Sequence, residues 1–156
     1  MSEPELYDSL EDTLAHGDRV NDLIQELIDD LVGRGETHDA SKTHSPEKEV
    51  FDDFTPKLKT STYGSDEYKG FLEAMGEALK HHYKWNRHHP EHFENGIDDM
   101  TLVDLIEMLA DWKAATERHD DGSLVRSLEI QQERFGISEQ LSKILNNTAH
   151  YYGWLS

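Results

Sequence analysis

The chain of 156 residues contains ten histidines and no cysteine, so any metal that it binds must be held by nitrogen and oxygen ligands. In the segment His38–Lys42 an imidazole and a carboxylate stand side by side, and a lysine follows three residues after Asp39. We predict that His38 and Asp39 bind metal, that Asp39 and Lys42 act in catalysis, and that Lys42 also contacts a substrate phosphate. The alternative is a polar helix cap, in which Asp39 accepts backbone hydrogen bonds.

A second concentration of histidines lies between residues 81 and 92. His81 and His82 end an amphipathic segment, and His82 is in helical register with Met75 and Leu79. We predict that the pair binds metal and that His82 also transfers a proton in catalysis. A surface cap that interacts with the helix dipole is the alternative. The loop that follows supplies candidate contacts to substrate phosphate, namely Arg87, His88, His89 and His92.

Three acidic residues share one stripe of a largely apolar segment. Asp104, Glu107 and Asp111 are spaced i, i+3, i+7, which places them on one side of a helix. Thr101 followed by Asp104 is typical of a helix start. We predict Asp111 as a metal ligand, and a solvated helix face is the alternative interpretation of the stripe.

His16 is the last candidate metal ligand. On a helix it shares a face with Val20, Leu23 and Leu27, so we expect it to face the hydrophobic core. A histidine at such a position is commonly a hydrogen-bonded core residue. Its assignment as a ligand therefore depends on the other candidates.

Helical periodicity predicts the elements that position these residues. Gly33 and Gly35 are expected to close the first helix, and Pro56 is expected to end the second. The stretch from Tyr83 to Asp99 is polar, aromatic and irregular, which is typical of a functional loop. We predict an all-α fold, one domain over 1–156 with five to seven helices, at about 5–32, 46–54, 68–82, 102–118, 124–134 and 138–147.

Composition limits the partners. A net charge of -18 would repel a nucleic-acid backbone, so duplex nucleic acid is excluded, whereas a bound divalent cation can reverse the local field for a small phosphorylated substrate. No segment has the roughly 18 to 20 apolar residues that cross a bilayer. We therefore expect a cytoplasmic protein without a membrane partner; its oligomeric state stays open, with a homo-oligomer among the options.

Taken in chain order, His16, His38–Asp39, His81–His82 and Asp111 resemble the ligands of the HD superfamily of metal-dependent phosphohydrolases. In that superfamily a first helix supplies one histidine, a second supplies the His-Asp pair, and a late helix supplies the last aspartate. Lys42 matches the lysine that often follows the pair. The chain is also similar, over most of its length, to small HD-like proteins of bacteria and phages.

This resemblance implies a helical HD-like fold and one or two divalent transition metal ions, with Mn, Fe, Co, Ni and Zn all compatible with the donor types. It implies hydrolysis of a nucleotide or another small phosphate ester. The hypothesis is that His16, His38, Asp39 and Asp111 hold a metal that activates a water for attack on phosphorus.

Three other functions are compatible with the sequence. A di-iron oxygenase would use the same scaffold and the additional histidines. A magnesium-dependent nucleotide pyrophosphohydrolase would use the acidic stripe, but it leaves His38 unexplained. A non-enzymatic acidic module would occupy a basic surface of another protein by charge mimicry.

Overall fold

The computed structural model of the chain describes residues 6–155, in which all regular structure is helical and no strand occurs. Six α-helices and three short 3-10 helices follow one another, which confirms the prediction of an all-α fold with five to seven helices. The 3-10 helices cover Ala40–Thr43, Pro90–His92 and Gly96–Asp99. The α-helices are α1 (Leu10–Thr37), α2 (Glu47–Thr60), α3 (Asp66–Trp85), α4 (Leu102–Thr116), α5 (Leu124–Phe135) and α6 (Glu139–Tyr151).

The chain divides into two compact units, of which the first ends at Glu36 and the second begins at Thr37. The first unit consists mainly of α1, which has the predicted apolar stripe but no buried residue. His16 is exposed, so the expectation that it faces a core is wrong. Periodicity identifies a stripe that is able to pack, but it does not supply the element against which the stripe packs.

Two predicted helix ends are also wrong. α1 continues through Gly33 and Gly35 to Thr37, because a glycine costs a helix only about 1 kcal/mol relative to alanine. α2 continues through Pro56 to Thr60. The loss of one backbone hydrogen bond at Pro56 is offset by packing against α3, where the rings of Phe54 and Phe71 lie 6.4 Å apart.

The hydrophobic core of the second unit lies among α4, α5 and α6. Trp112 of α4 stacks on Phe135 of α5 with ring centroids 6.3 Å apart, and Trp154 packs against the same cluster from the end of the chain. Each buried leucine contributes about 1.5 to 3 kcal/mol of transfer free energy, so this cluster fixes the position of α4. Its buried members are Met108, Leu109, Trp112, Leu124, Leu128, Ile137, Leu145 and Ala149.

Local signals set the helix starts around this core. Ser65, Ser123 and Ser138 each accept a hydrogen bond from a backbone amide in the first turn of the following helix. Thr101 and Asp104 form a reciprocal capping box at the start of α4, as their spacing predicts. Within residues 6–155, no helix combines the length and the apolar character needed to cross a membrane.

Candidate metal centre

A sharp turn at the start of the second unit presents two adjacent polar side chains. Asp39 has φ 56 and ψ 19, the left-handed region, which aspartate tolerates better than most residues because its short side chain can bond locally. The 3-10 helix Ala40–Thr43 follows directly, and Lys42 N donates to Asp39 O at 2.9 Å. This turn directs His38 toward α4 and Asp39 toward α3.

Four side chains form a first candidate ligand group, and their ligand atoms all lie within 4.8 Å of one another. Asp39 Oδ1 lies 3.3 Å from His82 Nε2 and 3.4 Å from His88 Nε2. His82 Nε2 also lies 3.0 Å from His89 Nε2. His82 and His88 are almost completely buried. Three imidazoles and one carboxylate are a donor set that suits a divalent transition metal.

A second candidate group shares His88 with the first and adds His38 and Asp111. His38 Nε2 lies 3.3 Å from Asp111 Oδ1, and His88 Nε2 lies 3.9 Å from Asp111 Oδ2. The rings of His38 and His88 are 4.4 Å apart between centroids. The two groups are therefore adjacent and could hold either one ion or two.

Two glutamates orient the imidazoles from outside these groups. Glu107 Oε1 lies 3.0 Å from His38 Nδ1 and 3.2 Å from His88 Nδ1, and Glu47 Oε1 lies 2.7 Å from His82 Nδ1. Since an ionised carboxylate only accepts hydrogen bonds, each Nδ1 must carry the proton and donate it. In the neutral form of each ring, Nε2 then presents its lone pair to the centre, as in carboxylate–histidine–metal arrangements.

Two buried atoms at the middle of the cluster have no hydrogen-bond partner among the described residues, namely Asp39 Oδ1 and His88 Nε2. They lie only 3.4 Å apart, so their separation suits an ion pair but their alignment does not suit a hydrogen bond. A lone pair that faces a carboxylate oxygen at this distance is repelled unless a cation lies between them. The residues present therefore fit a divalent cation.

The electrostatics of the cluster point the same way. The hydrogen bond with Asp111 raises the pKa of His38 to about 9, against the opposing effect of burial. Burial, with the nearby His88 and His82, lowers the pKa of His89 to about 3. Burial alone would raise the pKa of Asp39, but contacts with His82, His88 and Lys42 hold it well below its usual range. The cluster thus keeps ionised carboxylates beside a neutral imidazole.

A cavity of about 150 Å³ opens beside the cluster. Asp39, His82, His89 and Asp111 all contribute to its wall, as does Lys42. Lys42 Nζ donates to Asp39 Oδ2 at 2.7 Å and lies 4.6 Å from the centre of the Phe51 ring. Lys42 therefore lies next to the candidate ligands, and its contact with a substrate phosphate stays a prediction.

The structure assigns several predicted residues to other contacts. His16 belongs to neither ligand group, and neither does His81, whose Nδ1 donates to Glu47 Oε2 at 2.7 Å. Arg87 forms a paired contact with Asp104, at 2.7 and 3.0 Å, and the carboxylate is fully buried. His92 Nδ1 donates to the carbonyl oxygen of Tyr83 at 2.9 Å. We infer that Arg87 and His92 hold the loop in place, since neither lines the cavity.

Sequence reasoning missed four roles in the site. His88 and His89 were expected to contact substrate, but the structure places both in a ligand group. In the sequence Glu107 stands out only as part of an acidic stripe, and Glu47, which is fully buried at the start of α2, does not stand out. The density of histidines after residue 81 was the available signal for the first two, whereas nothing near Glu47 in the sequence marks it.

Comparisons with known proteins were made against families, curated proteins and solved structures. No curated protein and no solved structure matches the chain significantly. The sequence model of one family of unknown function, DUF5662, matches residues 5–151, which include every candidate ligand described above. The chain therefore belongs to the DUF5662 family.

Proposed function

We propose that this protein is a metal-dependent phosphohydrolase that acts on a small phosphate ester. The observation that carries the proposal is the pair of ligand groups joined at His88, with two unpartnered buried atoms at their meeting point, beside a cavity whose wall contains Asp39, His82, His89, Asp111 and Lys42. Nucleotides are the substrate class that the resemblance to HD phosphohydrolases favours.

The candidate ligands would hold the metal on nitrogen and oxygen atoms only. Asp39, His82, His88 and His89 would bind one ion, and His38 and Asp111 would complete a second position with His88. A divalent metal at this place supplies a Lewis acid that polarises a phosphoryl oxygen and makes water more acidic. Zinc, manganese, iron, cobalt and nickel are all compatible with these donors.

The other residues bind and orient. Lys42 presents an ammonium group to the cavity beside Asp39, where it can pair with a phosphate oxygen. Glu107 and Glu47 keep three imidazoles in one tautomer, so that their Nε2 atoms stay directed at the centre. Burial raises the pKa of Tyr83, another cavity residue, so that its hydroxyl stays a hydrogen-bond donor at neutral pH.

Metal content and phosphate release test the proposal together. We expect near-stoichiometric metal, measured by mass spectrometry on protein purified without chelator, and release of inorganic phosphate from a panel of sugar phosphates and nucleotides. Asp39→Ala should lose both properties while the protein stays folded. Asp52→Ala is the matched control, because Asp52 is an exposed partner of Lys48. Full activity in Asp39→Ala, or metal-free wild type after addition of divalent ions, would refute the proposal.

Oxygen activation by two iron ions is a second candidate. The sharing of His88 between two adjacent ligand groups favours it, because such an arrangement can hold a pair of metals. Iron content of two per chain with substrate-dependent oxygen consumption, and without phosphate release, would select this reaction over hydrolysis.

A further inference from the structure

Part of the cavity wall outside the ligand groups carries buried polar atoms without partners. Gln131 Oε1 and His119 Nδ1 are both shielded from solvent, and neither makes a hydrogen bond within the described residues. Gln131 is only 3% exposed, and both residues line the cavity. Unpartnered buried polar groups are costly, so their position in a cavity wall indicates a ligand or an ordered water that satisfies them.

The amide of Gln131 has one satisfied atom and one that is not. Its nitrogen donates to the hydroxyl of Tyr63, which leaves the buried oxygen without a partner. In the reversed orientation of the amide, the Tyr63 hydroxyl would donate to the oxygen and the nitrogen would be left over. In the first orientation a partner must donate a hydrogen bond to Gln131, and in the second it must accept one. A hydroxyl group can do either.

His119 lies beside the same tyrosine. Its ring centroid is 6.2 Å from Tyr63 and 6.3 Å from Tyr68, and both tyrosines line the cavity. Burial raises the pKa of both phenols, so their hydroxyls stay protonated. This region therefore combines aromatic faces with neutral hydrogen-bonding groups, whereas the ligand groups combine carboxylates with imidazoles.

The two regions lie at different positions along α4, the ligand groups near Asp111 and the second region beyond the end of the helix. Asp111 belongs to a ligand group, and Ala115, also in the wall, follows one turn later, about 6 Å further along the helix axis. Arg118 and His119 come after the end of α4, beyond Ala115, and both line the cavity. A ligand with one end at the candidate metal can thus reach Gln131 and His119 with its other end.

The size of the cavity limits that ligand. The inner part of the cavity, about 150 Å³, is close in volume to a closed cavity that holds a single ring such as benzene, so one ring fits within it and a second would extend toward its open side. A ribose or a comparable polyol fits this description, whereas a nucleoside adds a base of similar size to the ribose. Arg118 and Lys59 also line the cavity, beside Arg134, which is paired with Glu91, so an anionic ester is favoured in spite of the acidic chain.

We propose that the cavity selects the phosphate ester of a sugar or polyol of one ring, and that Gln131 and His119 determine this specificity by hydrogen bonding to its hydroxyl groups. The inference rests on the proposed phosphohydrolase function and narrows its substrate class away from nucleotides. The phosphate would lie at the ligand groups, and the hydroxylated body would lie along α4 toward Tyr63.

Binding to the metal-loaded protein tests the inference with three probes, inorganic phosphate and the non-hydrolysable phosphonate analogues of ribose 5-phosphate and adenosine 5′-monophosphate, which are named below by their parent esters. The last two differ only in the base. By calorimetry we expect ribose 5-phosphate to bind about tenfold more tightly than inorganic phosphate, and the nucleotide to bind no more tightly than inorganic phosphate. Gln131→Leu should remove the higher affinity for ribose 5-phosphate relative to inorganic phosphate, and it should leave the affinity for inorganic phosphate unchanged.

Gln132→Leu is the matched control, because the neighbouring amide accepts from Ser142 and does not line the cavity. His119→Phe, checked for folding by circular dichroism, provides a second test at the other unpartnered atom. Tighter binding of the nucleotide than of ribose 5-phosphate would overturn this inference but not the proposed function. An unchanged preference for ribose 5-phosphate over inorganic phosphate in both variants would do the same. Failure of inorganic phosphate to bind metal-loaded protein would instead overturn the proposed function.

Discussion

Two polar clusters of the second unit, each of which includes a fully or almost fully buried side chain, are built on opposite principles. In the first, Arg87 contacts both oxygens of Asp104, which also accepts from the backbone amide of Thr101. In the second, Asp39 Oδ1 and His88 Nε2 face each other at 3.4 Å without a hydrogen bond. The first cluster satisfies its charges within the protein, and the second leaves them directed at a common point.

This difference separates a structural role from a functional one. A paired and hydrogen-bonded charge fixes the loop after α3 against the start of α4, and it needs nothing from outside. Unpartnered buried atoms lower the stability of a fold unless a ligand satisfies them. We therefore expect substitutions in the first cluster to change stability without changing metal binding, and substitutions in the second to reduce metal binding.

The largest effect is expected at His88, which belongs to both ligand groups. His88→Gln should reduce bound metal from near-stoichiometric to background, because neither group keeps its full donor set. His92→Gln is the matched control from the same loop, since His92 contacts a backbone carbonyl instead. Mass spectrometry of both variants measures the effect, and equal metal in the two would remove the distinction between the clusters.

Arg87 should show the opposite behaviour. Arg87→Met removes the half-exposed cation that faces a fully buried carboxylate, and Asp104 keeps its hydrogen bond from Thr101, so the free energy of unfolding should fall by about 1 to 2 kcal/mol. The metal content of the folded fraction should not change. Urea unfolding of the chelator-treated protein measures the first quantity, and a loss of metal without a loss of stability would contradict the structural assignment.

Much of the fold follows from local patterns in the sequence. The capping box of Thr101 and Asp104 involves residues three apart, and the helical stripes recur every three to four residues, so both are readable from the chain alone. The helix ends predicted at Gly33 and Pro56 are wrong because a helix end does not depend on local sequence alone. A single breaker costs little, and packing between helices decides whether the helix continues.

The candidate site is only partly readable in the same way. His38, Asp39, His82 and Asp111 were found because their types and chain order resemble known ligands. Glu107 meets His38 across 69 residues of sequence, and Glu47 meets His82 across 35. No local pattern encodes such contacts, since they depend on how α2, α3 and α4 pack.

Glu107 offers an intermediate test of the second cluster. It contacts two imidazoles but belongs to neither ligand group, so Glu107→Ala should weaken metal affinity by about 10- to 100-fold without abolishing binding. Competition with a chelator of known affinity measures the change. An affinity equal to that of the wild type would show that the tautomers of His38 and His88 are held by other means.

The smallest effect concerns pH, and it has opposite signs for stability and for metal binding. Because the folded protein raises the pKa of His38 to about 9, His38 stabilises the metal-free fold fully below about pH 6.5, and this contribution is lost as pH rises to about 9. A metal that uses His38 must displace its proton, so metal affinity should instead rise over the same interval, by up to about tenfold per pH unit.

Chelator titrations and urea unfolding at pH 7, 8 and 9 would measure the two trends in wild type and in His38→Gln. If the ion occupies the position of His38, Asp111 and His88, both trends should disappear in the variant. If it occupies only the position of Asp39, His82, His88 and His89, His38 keeps its proton when metal binds, so metal affinity should have the same pH profile in wild type and variant, and only the dependence of stability should disappear in the variant. The comparison of the pH profiles of wild type and variant thus shows which of the two adjacent ligand groups holds the ion.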